Sequence, residues 1–165
     1  MSTTIDQLKE LGQVAGQAAR FNLLRSGDLV PVLMLVRDGE VKEIMAVPPH
    51  PTALSKQNAY GLMAMVIAKK APDAVILVND AYMRVLKKEE AETFMDGYDN
   101  GSLATDFEAV ESILIAFKGP SIPTHLLAFP YHRNELGEIV FDPHESLQDW
   151  NDGAAVNLLP DWWES

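Results

Sequence analysis

Apolar residues return every three or four positions through the first part of the chain, at Ile5, Leu8, Leu11, Ala15, Ala18 and Phe21. That spacing predicts an amphipathic helix over residues 4–25, with these six side chains as its buried stripe. Thr4 followed by Gln7 resembles a capping box, and Ser26-Gly27-Asp28 supplies a stop. Gly12, Gly16 and Ala19 form a second, smooth strip on the same helix. Each helical glycine costs about 1 kcal/mol relative to alanine, so close packing on a sheet or a partner helix is the expected compensation. Packing within the chain is the more frequent outcome.

The period then changes. Val30 to Val36 and Val41 to Val47 are rich in β-branched and apolar residues, and Asp38-Gly39 between them is a two-residue type I′ turn signal. A hairpin is predicted, ended by Pro48-Pro49-His50-Pro51. A second helix starts at Thr52 or Ser55 and runs to Ala71, with Ala59, Leu62, Met63, Val66 and Ile67 as its apolar face. Ala74 to Val78 is an unbroken apolar run, the mark of a central strand covered on both faces. Its end delivers Asn79, Asp80 and Tyr82 to the rim of the sheet.

Residues 87–94 read as a short helix, followed by a loop marked by Gly97, Asn100 and Gly101. Strand character resumes over Val110 to Phe117, turns at Lys118-Gly119-Pro120, and continues from Thr124 to Tyr131, which pairs with Gly137 to Phe141. The order α-β-β-α-β-β-β-β describes an α+β domain: a mixed or largely antiparallel sheet of about six strands, with two main helices on one face. The domain covers residues 1–144 with an acidic loop at 89–109, and residues 145–165 form an acidic, tryptophan-containing tail.

Charge sharpens this division. The net charge is −11, and it resides in two segments: residues 89–111 carry eight carboxylates and residues 145–165 five more, with no Lys or Arg in either. The remainder holds thirteen basic groups against eleven acidic ones. An acidic surface repels phosphate backbones, and no basic stripe is present, so direct nucleic-acid binding is not expected. No apolar run approaches the roughly 20 residues that span a bilayer, the start lacks the pattern of a secretory signal, and cysteine is absent. These features describe a cytoplasmic protein with no membrane partner, and nothing in the sequence asks for a cofactor.

Candidate chemistry is sparse. The loop from Asp96 to Glu108 invites comparison with a calcium-binding EF-hand, with Asp96, Asp99, Asn100, Asp106 and Glu108 as possible oxygen ligands. Tyr98 stands at the third ligand position and Phe107 at the twelfth, so the pattern fails, leaving weak cation capture against a solvated loop. The four histidines make no compact metal motif, although His132, Asp142 and His144 can gather at the ends of the last hairpin. No Gly-x-Ser-x-Gly elbow and no phosphate loop is present. Asp80 and Glu111 stand at neighbouring strand ends; two acids in close approach drive one pKa upward, as acid–base chemistry requires, while strand ends also commonly carry solvated acids.

All three tryptophans lie in the tail, at Trp150, Trp162 and Trp163, together with Leu158 and Leu159. These five either fold back on the body or form an acidic-aromatic docking peptide. Three functional expectations follow. The first is a non-enzymatic protein acting through protein–protein contact or self-association, by the acidic loop, the tail or the smooth face of the first helix. The second is a small metal-dependent hydrolase using Asp80, Glu111, His132, Asp142 and His144. The third is an acidic nucleic-acid mimic that occupies the groove of a DNA-binding partner.

Overall fold

A computed structural model describes residues 3–48, 52–83, 110–120 and 122–141. Helix α1 spans Ile5–Ser26 and α2 spans Ala53–Lys70; the strands are β1 Val32–Arg37, β2 Glu40–Ala46, β3 Ala74–Met83, β4 Val110–Gly119, β5 Ile122–Arg133 and β6 Ile139–Phe141. The element order and α+β class are those expected, and the six strands form one sheet in the order β2-β1-β3-β4-β5-β6 with every neighbouring pair antiparallel. No described helix is long and apolar enough to cross a membrane.

Local signals explain the element ends. Thr4 Oγ1 accepts from Gln7 N–H at 3.2 Å while Gln7 Oε1 accepts from Thr4 N–H at 2.8 Å, so α1 opens on a reciprocal capping box and closes on left-handed Gly27. Thr52 and Ser55 build the same box for α2. That helix ends on Ala71 at φ 48°, a left-handed position that costs a residue with a Cβ about 1 kcal/mol. Arg37 helps hold it there by donating to the carbonyls of Lys70 at 2.7 Å and Ala71 at 2.5 Å. Between β1 and β2, Asp38 (φ 53°) and Gly39 (φ 76°) both take positive φ, as the type I′ signal demands.

The helices lie on opposite faces of the sheet rather than on one. Strand alternation sends Ala74, Ile76 and Val78 of β3 into a cluster with Leu8, Ala15, Ala19 and Leu23 of α1. Val75 and Leu77 enter a second cluster with Ala59, Met63 and Ile67 of α2. The physical reason is the unbroken apolar run of β3, which water would reach on one side if both helices shared the other.

The buried stripe of α1 is also displaced from the expected one. Gly12, Gly16 and Ala19 face the sheet with Leu8, Ala15 and Leu23, whereas Ala18 and Phe21 are exposed. A Cβ built on Gly16 would stand 2.5 Å from the Phe129 ring, so the helix axis approaches more closely than a larger residue permits. The smooth strip is therefore consumed inside the chain and offers no surface to a partner. In α2, Leu62, expected inside, is likewise exposed.

Candidate functional site

Asp80, Glu111 and Tyr131 come from three consecutive strands of the sheet. Tyr82 pairs with Glu111 across β3 and β4, and Ser112 pairs with Pro130 across β4 and β5, so the three residues reach the same end of the sheet. Alternation aims them to the α1 side, because Val78, Ile113 and Phe129, each two residues away, belong to the α1 cluster. The Tyr131 hydroxyl lies 2.7 Å from Asp80 Oδ1 and 2.5 Å from Glu111 Oε2. Phe141 of β6 packs edge-on against the tyrosine ring at 5.6 Å, and Arg133 Nη2 donates to the Gly27 carbonyl at the end of α1.

One hydroxyl carries one hydrogen and can donate to only one carboxylate at a time. With both acids ionised, the second short O···O contact has no hydrogen in it and two negative groups face each other. One added proton completes the chain: a carboxylic acid donates to the tyrosine oxygen, and the tyrosine donates to the other carboxylate. The Asp80 carboxyl is accordingly raised above its ordinary range, first by burial, then by the charge of Glu111 against the lowering hydrogen bond from Tyr131. Tyr131 is raised as well, by burial and by its two acidic acceptors, which keep the hydroxyl protonated. It serves as a donor, not as a base or a nucleophile.

The expected meeting of Asp80 and Glu111 thus occurs, with a tyrosine between them that the sequence reading did not include. Tyr131 continues the inward alternation of Leu127 and Phe129, and a core tyrosine in a strand carries no mark of its polar partner until the register is known. His132 is exposed, and alternation sends it away from the Tyr131 side. His125 is buried and stacked on Phe117 at 5.3 Å, in keeping with a structural role. Asp142 and His144, the loop ligands Asp96, Asp99, Asn100, Asp106 and Glu108, and the tail residues Trp150, Leu158, Leu159, Trp162 and Trp163 lie outside the described residues. Among the described residues, no three His, Asp or Glu side chains are grouped so as to hold a metal ion.

A cleft of about 200 Å³ opens at the end of α2, beside Arg37, Lys42, Glu43 and Lys70. Its cations are engaged: Lys42 pairs with Glu40 at 2.6 Å, Lys70 with Glu43 at 3.1 Å, and Arg37 holds the helix carbonyls. On the α2 side of the sheet, the hydroxyls of Ser112 and Thr124 are buried with no hydrogen-bond partner among the described residues, too far apart along β4 and β5 to form one site.

Each helix also presents large apolar side chains to water. On α1 these are Val14, Phe21 and Leu24; on α2 they are Leu54, Leu62 and Met65, with Met65 71% exposed. Leu54, Leu62 and Met65 fall on one side of α2, together with Gly61, whose added Cβ would meet nothing within 4 Å. No family model matches this chain, and neither a curated protein nor a solved structure does.

Proposed function

We propose that this protein is non-enzymatic and acts by protein–protein contact, in the form of self-association through the outward face of α2. The observation that carries the reading is the stripe of Leu54, Leu62 and Met65 in water around an unhindered Gly61. Large apolar side chains exposed on one helix face commonly mark a contact site; Asn58, exposed on the same side, is the polar residue among them. A helical glycine with open space above it permits two backbones to cross closely, and a two-fold arrangement lets one stripe serve as its own complement. The helix carries Lys56, Lys69 and Lys70 and no acid, so two copies repel modestly and salt should strengthen their association.

Light scattering coupled to size exclusion tests this on the full chain. The expected mass is a multiple of 18.2 kDa, falling to the single-chain value in a Leu54→Gln, Met65→Gln double variant that keeps its helical spectrum. A single-chain mass for the unaltered protein across the accessible concentration range overturns the reading.

A second reading is favoured by one observation, the raised acid of Asp80 beside Glu111. Such a pair supplies a general acid and a general base for metal-free hydrolysis. It predicts a hydrolytic activity lost in both Asp80→Asn and Glu111→Gln.

A further inference from the structure

We infer that two copies of α2 pair in parallel and in register along a seam of Leu54, Asn58, Gly61, Met65 and Ala68, with the Asn58 amide of each copy hydrogen-bonded to its counterpart. The inference deepens the self-association proposed above and rests on it. The five residues are separated by four, three, four and three positions, and all five are exposed. Alternating steps of four and three keep one narrow strip of a helix turned toward a partner helix, the pattern by which two helices pack knobs into holes. Asn58 and Met65 fall at one kind of seam position, and Leu54, Gly61 and Ala68 at the other. So short a seam would not hold two isolated helices together. Here each helix is already formed by its capping box and by Ala59, Met63 and Ile67 on the sheet, so pairing does not have to order it.

Asn58 selects both the partner and its direction. A foreign apolar groove would bury the amide without a partner, at a cost of about 1–3 kcal/mol. The amide carries donors and an acceptor, so a second Asn58 facing it is its complement. Only the parallel, in-register pair brings the two together. In an antiparallel crossing at Gly61, Asn58 comes to lie against Ala64 and Met65 of the other copy, and neither offers it an amide. Charge agrees with the parallel register: Lys56 and Lys70 lie off the seam, and Lys69, which flanks it, meets Ala64 of the other copy, so no lysine faces a lysine. A single polar residue at a seam position of this kind fixes register and copy number, at some loss of stability.

A cysteine introduced at Ala68 reads the direction, because the chain has none of its own. In the parallel pair the two positions 68 face each other, so mild oxidation of Ala68→Cys should give a covalent dimer, as Gly61→Cys does. In an antiparallel crossing at Gly61 they stand about 20 Å apart along the helix axis, far beyond the roughly 7 Å between Cα atoms that a disulfide spans. Adding Asn58→Leu to Ala68→Cys should lower the covalent yield about twofold, as parallel and antiparallel pairs become equally accessible, while light scattering shows association as tight as before or tighter. Both substitutions are at exposed positions, and far-UV circular dichroism checks that the helices remain. A covalent dimer from Gly61→Cys with none from Ala68→Cys overturns the inference and leaves the α2 contact in place, because the crossing is then antiparallel. An undiminished yield with Asn58→Leu overturns it as well, because the direction is then set without the amide. If neither thiol cross-links and the unaltered chain has the single-chain mass, the α2 contact itself is absent and the pairing falls with it.

Discussion

The two faces of the sheet are covered by helices built on different plans. On one face α1 meets β3, β4 and β5 through Gly12, Gly16 and Ala19, and its larger side chains are left over to face water. On the other, α2 meets the sheet through Ala59, Met63 and Ile67, at a greater distance set by the bulk of those side chains. Both helices contain mid-helix glycine, yet the glycine at position 16 is a fitted contact and that at position 61 faces open space. A glycine with a steric reason explains packing; one without such a reason in the single chain directs attention to what lies outside it.

The largest expected effect breaks the closer of the two faces. Gly16→Ala puts a methyl group against the Phe129 ring, and since Arg20 lies over that ring, helix and ring must part; overpacking of this kind costs about 1–3 kcal/mol in chemical denaturation. Next in size is the cluster at the rim of the same face. Tyr131→Phe leaves two half-buried acids without their donor and should cost about 1 kcal/mol near neutral pH. Asp80→Asn acts in the opposite direction. The folded-state pKa of Asp80 is raised, so its contribution to stability is full below its ordinary value of 3.8 and is lost as pH rises through the raised value. An asparagine there removes that loss, so the variant should gain on the parent as pH increases, with the difference flattening once Asp80 is fully ionised. A pH series of denaturation midpoints for the two proteins checks the sign.

The smallest effect sharpens the comparison by reversing it. Gly61→Ala, the same substitution as at Gly16, enters open space on an exposed helix and should stabilise the isolated chain by about 0.5–1 kcal/mol, because alanine is the better helix former. The same methyl group should weaken self-association by holding the crossing helices apart.

Much of this arrangement is legible in the residue pattern, and the exceptions share a cause. The Asp38-Gly39 turn and the Thr4–Gln7 box are local, so short-range chemistry specifies them without reference to the rest of the fold. The Asp80–Glu111 encounter is legible because the strands that carry them proved to be neighbours, although β3 runs on to Met83, so that Asp80 lies within its strand and not at the end expected at Val78. What the pattern misplaced is orientation. Phe21 and Leu62 read as core because they are hydrophobic at helical spacing, but the distance between helix and sheet decides which side faces inward, and small residues in α1 set that distance. The placement of the helices on opposite faces was implied by β3 alone, whose run from Ala74 to Val78 needs cover on both sides.

The central claim, that two copies meet at Gly61, has a direct test because the chain contains no cysteine. A single Gly61→Cys substitution places one thiol on each copy at the crossing, and a disulfide forms readily only when the Cα atoms lie within about 7 Å. Mild oxidation should convert Gly61→Cys to a covalent dimer, while Val14→Cys on the outer side of α1 stays a single chain under the same conditions. Gly61→Cys remaining a single chain, or both variants cross-linking alike, would contradict it.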